Sequence, residues 1–364
     1  MKVSVLPFLL GLILCVLVMP MLIRFSLKLK LYDDSDLYRK THQKRISRLG
    51  GLGIFFGYLF TLELCGDVED LGIHALIASS SVMFCLGLKD DLLAGAKPLE
   101  KFIVQILAAF TFVFFGNIEL NSINLIPNNP SMQFYCLQLL YLIVILFVVN
   151  AFNFVDGING LAGMLGVLIN LILGSALLAL GDLYYALIAF TVAGATTGFL
   201  FFNLIQGLVF MGDSGATLIG LNTVAVCFRF ISVTDSSFES DLPFSSIGLV
   251  VALLIIPIFD VFRIFFIRAI QRKPLLVGDR NHIHHRLRDL GLVDYQIVLI
   301  LIGFTLSSVA FIIAMESEQT FKIFGVLTLG CLFANTVLTY KRGKHLFKHY
   351  KITDILFIDT FNRR

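Results

Sequence analysis

Long apolar segments separated by short polar loops run through most of this chain. The hydrocarbon core of a bilayer needs about 20 apolar residues per helix, so the pattern predicts an all-α, polytopic membrane protein with about eleven spans. The predicted spans are roughly 3–24, 50–66, 71–88, 102–117, 134–152, 160–180, 184–202, 215–233, 246–267, 296–314 and 321–340. The first is interpreted as a retained span and not a signal peptide, because it ends in basic residues without a small-residue cleavage site.

Composition agrees with this pattern and leaves little room for a soluble domain. The 364 residues are 57% hydrophobic and 15% charged, whereas soluble domains are about one quarter charged. The six cysteines are scattered singly, which favours helix packing over a disulfide framework or a zinc site. We expect one transmembrane domain over residues 1–340, followed by a basic cytoplasmic tail over 341–364.

The basic residues predict how the chain is oriented in the membrane. The loops after predicted spans 1, 3 and 9, together with Arg24 at the end of span 1 and the C-terminal tail, hold 24 of the 28 Lys and Arg residues. The loops on the opposite side hold none and carry Asp and Glu instead. Because basic loops stay in the cytoplasm, we expect the N-terminus outside the cell and the C-terminus in the cytoplasm.

Four polar clusters interrupt the apolar pattern, each where a predicted span meets a loop. The clusters are Lys89 to Asp91, Asn153 to Asn159, Asn203 with residues 211–215, and Arg280 to His285. In the predicted orientation all four lie at cytoplasmic ends of spans, so they can form one site at the membrane surface. Ionisable residues beside apolar spans indicate function more often than chance placement does.

The first two clusters carry carboxylates. Asp90 and Asp91 are adjacent at a span end, which suits a hard cation such as Mg²⁺ or acid–base work on a phosphate, although such a pair also occurs in solvated loops. Asn153, Asp156 and Asn159 recur every three residues and would share one face if the segment is helical. The glycines between them permit close approach of a ligand, or simply of another helix.

The third cluster, FMGDSG at 210–215, opens a predicted span. A helix N-terminus offers backbone N–H groups and a partial positive charge, so this loop predicts a phosphate cradle, with Asp213 placed to hold a metal ion. The alternative is that Asp213 or Ser214 serves as a simple N-cap. Both interpretations are compatible with the sequence.

The fourth cluster, RNHIHHR, concentrates histidine and arginine. The residues Arg280, His282, His284 and His285 fit a clamp on a pyrophosphate better than a zinc site, since no Cys or Glu stands at a typical partner spacing. A basic cytoplasmic loop explains the arginines but not the histidines.

Three features outside the clusters add to this picture. Asp260 and Arg263 lie three residues apart near the inner end of span 9 and predict an ion pair that orients the histidine loop. Lys101 and Gln105 lie one turn apart at the start of span 4. The position of Lys101 suits either binding of a lipid phosphate or simple extension of its side chain to the membrane surface. The loop SRLGGLG, residues 47–53, opens span 2.

In this order, the motifs resemble those of the polyprenyl-phosphate N-acetylhexosamine-1-phosphate transferases, the superfamily of WecA, TagO and MraY. The resemblance runs from about residue 28 to residue 290, and the HIHH form looks like the WecA/TagO branch. Its motifs are the arginine-diglycine loop, the aspartate pair, NAFNFVDGINGLAG, GFLFFN before FMGDSG, PIFD and DRNHIHHRL.

The resemblance implies the reactants. It implies a UDP-N-acetylhexosamine donor, an undecaprenyl phosphate acceptor, UMP as the leaving group, and Mg²⁺ with Mn²⁺ as a substitute. UDP-N-acetylglucosamine is the expected donor, with another UDP-N-acetylhexosamine or UDP-N-acetylmuramoyl-pentapeptide as the alternative. The product would begin a surface polysaccharide at the bacterial inner membrane. The resemblance implies no nucleic-acid partner and leaves a homodimer open.

The resemblance also implies roles for individual residues. Asp213, together with Asp156, would bind the metal, and Asp90, Asp91 and Asp156 would line the centre. Residues that would contact substrates are Arg48, Lys101, Asn153, Asn159, Asn203, Phe210 (against the uracil), Arg280, His282, His284 and His285. Two positions depart from the common pattern: Asn159 stands where many members have Asp, and Ser47 where many have Pro.

Two questions stay open at this level. Direct in-line attack on the β-phosphate needs only a positioned acceptor, whereas a covalent aspartyl-phosphate intermediate would need a nucleophilic carboxylate. A secondary transporter of an anionic solute is the alternative of a different class. Transporters place ionisable groups near the bilayer midplane in repeated halves, and this chain instead crowds them at one interface.

Overall fold

The computed structural model describes residues 2–34, 45–65, 70–93, 97–116, 118, 129–236, 244–272, 281–315 and 320–346. The chain is an α-helical, multi-pass membrane protein, and its backbone contacts group it into two compact units, Met1–Asp241 and Leu242–Arg364. Within the described residues, eight helices are long and apolar enough to cross a membrane. The number becomes nine if one bent pair is counted as a single span.

Helices make up nearly all of the described part of the first unit. They are α1 Lys2–Lys28, α2 Gly50–Cys65, α3 Leu71–Leu93, α4 Pro98–Phe115, α5 Pro130–Val155, α6 Leu161–Ala179, α7 Leu183–Leu200 and α8 Gly212–Ser236. A π-helical turn, Phe201–Ile205, extends α7. The sequence pattern missed a short antiparallel pair, β1 Tyr32–Asp34 and β2 Arg45–Ser47, which lies in the predicted cytoplasmic loop after α1.

Helix α8 forms the centre of the first unit, where it packs against α2, α3, α5, α6 and α7. Two buried amides tie it to its neighbours. Asn222 on α8 donates to the Ser80 hydroxyl on α3 at 3.0 Å, and Asn170 on α6 donates to the Thr223 hydroxyl on α8 at 2.8 Å. Because no water competes for these donors inside the bundle, the pairs fix the register of α8 against α3 and α6.

The second unit contains a broken helix and the histidine segment. Its helices are α9 Ser246–Leu253, α10 Ile255–Ile270, α11 Ile283–Asp289, α12 Asp294–Ala314 and α13 Thr320–Leu346. The ninth predicted span is the bent pair α9–α10, whose axes differ by 70° at Leu254. Pro257 lacks the N–H that would bond to the carbonyl of Leu253, which accounts for a break at this point.

Every predicted span coincides with a helix, but two local expectations need correction. The helix α5 ends at Val155, so Asn153, Asp156 and Asn159 do not share one helical face; Asp156 caps the helix and Asn159 lies in the following turn. Helix α13 continues to Leu346, past the predicted start of the tail at residue 341. Residues 347–364 of that tail lie outside the described residues.

Candidate active site

The C-terminal end of α3 meets the first turn of α8 through the carboxylate of Asp91. One oxygen accepts from the backbone N–H of Asp213 at 2.9 Å. The other accepts from the N–H and the hydroxyl of Ser214, at 3.1 and 2.5 Å. Asp91 therefore caps α8 from another helix, and these N–H groups are not free for a phosphate. The predicted phosphate cradle is wrong in this respect, and so is the alternative of Asp213 or Ser214 as the cap.

Two glycines make this contact sterically possible. Gly212 has φ +74°, a left-handed conformation that suits glycine, and a Cβ there would lie 2.5 Å from an oxygen of Asp91. On α3, a Cβ on Gly87 would lie 2.4 Å from the backbone N and Cα of Ser214. The end of α3 can thus lie directly against the start of α8.

Asp156 brings a second carboxylate to the same turn. The backbone N–H of Gly212 lies near enough to favour its charged form, while Asp91 accepts from the next two N–H groups of α8, those of Asp213 and Ser214. Burial, and after it the negative charges of Asp213 and Asp91, raise the pKa of Asp156 well above its ordinary value, against the lowering effect of the Gly212 N–H. A cation bound beside Asp156 would relieve this penalty.

Lys101 on α4 joins two of the predicted catalytic carboxylates. Its ammonium lies 2.6 Å from Asp90 Oδ2 and 2.6 Å from Asp213 Oδ2. The three side chains are between 20% and 30% exposed, so they form the accessible part of the cluster. We name Asp90, Asp91, Asp156 and Asp213, with Lys101, the carboxylate cluster. With four carboxyl groups and one ammonium group, it attracts cations.

The loop around the two glycines of residues 47–51 supports the segment that leads into α8. Ser47 donates its N–H to Leu208 O at 3.0 Å and accepts from Phe210 N at 2.8 Å. Gly50 N then donates to Phe210 O at 3.1 Å. This ladder holds the backbone of Phe210 and leaves its side chain half-buried. Ser47 uses an N–H that proline lacks, so the departure from the common pattern has a structural counterpart here.

Four other residues of the first unit are predicted to contact substrates: Arg48, Asn153, Asn159 and Asn203. Asn203 is buried, and its amide donates to Val209 O at 2.7 Å, which closes the turn after the π-helical segment. Asn153, Asn159 and Arg48 are half-buried. A substrate contact at these positions stays a prediction.

The histidine segment of the second unit is held by the predicted ion pair. Arg263 lies 2.9 Å from Asp260 Oδ1, which confirms that pair. Asp260 also accepts from the Ile283 N–H at 3.0 Å, and its Oδ2 lies 2.9 Å from His282 Nδ1. Arg263 donates to Asn281 O. The pair thus orients the start of α11, as the sequence predicts.

The three histidines differ in their environments. His282 and His284 stack with ring centroids 5.6 Å apart, and both are buried, whereas His285 is partly exposed. Burial, followed by the neighbouring His285, lowers the pKa of His284 to about 3. Burial and His282 lower the pKa of His285. At neutral pH the imidazole of His284 is therefore uncharged. Arg280 lies outside the described residues.

Comparison with known proteins agrees with this arrangement. Residues 73–231, which include the carboxylate cluster, match the family described as glycosyl transferase family 4. The chain is 32% identical over 285 residues to a decaprenyl-phosphate N-acetylglucosaminephosphotransferase of Mycobacterium tuberculosis, covering 72% of this chain and 70% of the relative. The chain belongs to glycosyl transferase family 4.

Two other relatives are similar to this chain over most of its length. A probable undecaprenyl-phosphate N-acetylglucosaminyl 1-phosphate transferase of Bacillus subtilis is 28% identical over 353 residues, which cover 95% of this chain and 96% of the relative. A phospho-N-acetylmuramoyl-pentapeptide-transferase of Prochlorococcus marinus is 28% identical over 264 residues, covering 69% and 72%. The resemblance to the WecA, TagO and MraY superfamily is confirmed.

In this glycosyl transferase family 4 chain, two parts of the site are not evident from the sequence. Lys101 and Gln105 are one turn apart in sequence, but Lys101 binds Asp90 and Asp213, while Gln105 accepts from Asn150 on α5 at 3.0 Å. Ser214 is the second part, as the donor to Asp91. The glycine of GLKDD, Gly87, was the one signal in the sequence for a close helix contact at this point. Among the described residues, no group of three or more His, Cys, Asp or Glu side chains is arranged to hold a metal by itself.

Proposed function

We propose that this protein transfers N-acetylglucosamine-1-phosphate from UDP-N-acetylglucosamine to undecaprenyl phosphate and releases UMP. The observation that carries the proposal is the carboxylate cluster at the start of α8, in a chain whose relatives are named for this transfer. The relatives named for N-acetylglucosamine support that sugar over the muramoyl-pentapeptide donor of the third relative. The product would be a lipid-linked diphosphosugar in the bacterial inner membrane.

The residues of the cluster fit a Mg²⁺ ion that also binds substrate phosphate. Mg²⁺ in phosphate-transfer sites commonly takes one or two carboxylates and completes its shell with phosphate oxygens and water. Asp213, whose side chain is 30% exposed against 20% for Asp90, and Asp156, whose charge is disfavoured without a cation, would hold it. When bound, Mg²⁺ would offset the negative charge of the diphosphate, and Mn²⁺ would substitute for it.

Lys101 and Asp90 are suited to the acceptor. A phosphomonoester is largely a dianion at pH 7, so a strong general base is not required. The Lys101 ammonium would bind this dianion, and Asp90, 2.6 Å from the same ammonium, would position it or take its residual proton. The acceptor oxygen then forms a bond to the β-phosphorus, while the bond from that phosphorus to the bridging oxygen breaks and UMP leaves.

Asp91 is poorly suited to act as a nucleophile. Three hydrogen bonds from Asp213 and Ser214 occupy both of its oxygens, and they lower the electron density available for attack. This observation supports direct transfer over an aspartyl-phosphate on Asp91. Asp91 would then be a positioning residue that holds the first turn of α8, and with it Asp213, in place.

The proposed orientation puts the N-terminus outside, the C-terminus in the cytoplasm, and the site at the cytoplasmic surface, where UDP-sugars are available. The distribution of Lys and Arg supports it. We keep about eleven spans in this proposal, with the short apolar helix α2 and helix α4 each crossing the membrane. The histidines of α11 would contact the sugar-phosphate end of the donor.

The test measures UMP release by purified protein supplied with undecaprenyl phosphate, Mg²⁺ and a panel of UDP-N-acetylhexosamines. We expect the highest rate with UDP-N-acetylglucosamine and loss of activity in Asp213→Asn. Glu63→Gln is the matched control, since Glu63 is an exposed carboxylate near the C-terminal end of α2. Wild-type protein that releases no UMP with any donor of the panel would contradict the proposal.

A further inference from the structure

A buried arginine joins the histidine helix α11 to α13, the last helix of the described residues. Arg286 is 1% exposed and is the largest of the fully buried side chains of the described residues. Its guanidinium donates to Asn335 Oδ1 at 2.6 Å and to the hydroxyl of Thr339. Asn335 and Thr339 lie one turn apart on α13, so both acceptors face the same side.

The acceptor pair is itself oriented. The Thr339 hydroxyl donates its own proton to the carbonyl of Asn335 at 2.8 Å, which turns its lone pairs toward the arginine. A guanidinium group presents its donors in a fixed plane, so two acceptors on another helix define its direction as well as its position. Lysine, with a single rotatable ammonium, would not give the same restraint.

This contact complements the anchor on α10. Asp260 holds the first residues of α11 through His282 and Ile283, whereas Arg286 holds the next turn. The backbone N–H of Arg286 bonds to His282 O at 3.1 Å, so the two anchors are one helical turn apart. His284 and His285 lie between them.

Nearer its start, helix α13 packs against α9 and buries Ile323, Leu327 and Cys331, which lie four residues apart on one face. Many of its apolar side chains are exposed on the protein and suited to lipid, including Leu329 and Phe333. Lipid gives little preference for one rotation of an apolar helix over another, because the lipid tails are as apolar as the side chains. Asn335 and Thr339 continue the buried face of Ile323, Leu327 and Cys331 at the same spacing, and the polar contact with Arg286 holds this end of the face toward α11.

We propose that α13 acts as a positioning element for the histidine helix through the hydrogen bonds of Arg286 to Asn335 and Thr339. Arg286, Asn335 and Thr339 are positioning residues, and they act on the donor through His284 and His285. The inference rests on the proposed function for the role of the histidines. It concerns the UDP-sugar only, since the acceptor is assigned to Lys101 and Asp90.

The experiment compares two variants with the wild type. The double variant Asn335→Leu/Thr339→Val removes both acceptors and leaves the arginine buried. The triple variant adds Arg286→Leu, which replaces the whole polar group by apolar side chains and is expected to recover the thermal midpoint. We expect KM for UDP-N-acetylglucosamine to rise about tenfold in both variants, and KM for undecaprenyl phosphate to stay unchanged. Thr336→Val is the matched control, because the Thr336 hydroxyl bonds within α13 itself, to Leu332 O at 2.7 Å.

A second measurement does not depend on activity. Hydrogen exchange of the peptide that covers residues 281–287 should speed up in the double and triple variants and not in Thr336→Val. Unchanged exchange and unchanged KM in the double variant would overturn the inference, and so would a triple variant with wild-type KM. If the wild type releases no UMP with any donor, the proposed function fails, and the exchange result alone then decides whether α13 positions α11.

Discussion

The carboxylate of Asp91 and the first turn of α8 are joined by Ser214, which donates both its N–H and its hydroxyl to that carboxylate. The two residues are 123 positions apart in sequence. Their contact sets where α8 begins, and therefore where Asp213 presents its side chain to Lys101. The adjacent residue, Asp90, contacts Lys101 instead. Asp90 and Asp91, although adjacent in one motif, thus have different partners and different roles.

Asp91→Asn should lower stability as well as activity. The amide keeps one acceptor oxygen and directs an NH₂ group at a donor of Asp213 or Ser214, so the cap is partly lost. We expect a decrease of about 1–2 kcal/mol in the free energy of unfolding, the usual value of such a cap. Thermal unfolding in detergent measures it. Asp90→Asn is the control: it should reduce UMP release with little change in the midpoint, and an equal loss of stability in both variants would contradict the assignment.

Lys101→Met should strengthen the binding of a divalent cation. The ammonium now neutralises Asp213 at 2.6 Å, and its removal leaves that carboxylate for the metal. We expect Kd for Mn²⁺, followed by electron paramagnetic resonance without substrates, to fall about tenfold. Lys89→Met is the matched control, since Lys89 pairs with Glu100 at the surface. Equal or weaker binding in Lys101→Met would exclude competition between the lysine and the cation.

Gly87→Ala should disrupt the contact between α3 and α8. The added Cβ would lie 2.4 Å from the backbone of Ser214, and backbone atoms cannot move aside as a flexible side chain can. Overpacking of this kind costs about 1–3 kcal/mol. Unfolding midpoints and UMP release should both fall. Gly303→Ala on α12 is the control, because a Cβ there meets nothing within 4 Å; if both variants behave alike, the close approach is not the cause.

Acidification should destabilise the protein through His284. Its pKa is lowered from 6.5 to about 3 in the folded state, so below pH 6.5 the unfolded chain takes up a proton that the folded chain refuses. The stabilisation that comes from keeping His284 uncharged in the folded state is complete above pH 6.5 and is lost as the pH falls toward 3. At pH 5 the free energy of unfolding is lower by about 2 kcal/mol. Unfolding midpoints between pH 7 and 5 should fall less steeply in His284→Gln than in the wild type or in His74→Gln, which alters an exposed histidine. Parallel slopes would refute the assignment.

The sequence by itself determined the helices and the short-range contacts. The apolar runs located a helix at every predicted span, because the cost of placing a residue in lipid depends mainly on that residue and its near neighbours. The spacing of Asp260 and Arg263 likewise predicted their ion pair, since residues three apart on a helix are adjacent. The motifs selected the carboxylates that gather at α8.

Only the tertiary structure decided how those carboxylates are used. Asp90 and Asp91 look equivalent in sequence, and their different partners lie on α4 and α8. Likewise, nothing local to Arg286 points to Asn335, 49 residues away. Such assignments depend on which helices pack together and at which rotation, and the apolar pattern leaves that choice open because many helix arrangements hide similar apolar area. Polar contacts between distant residues, made where water cannot replace them, select one arrangement.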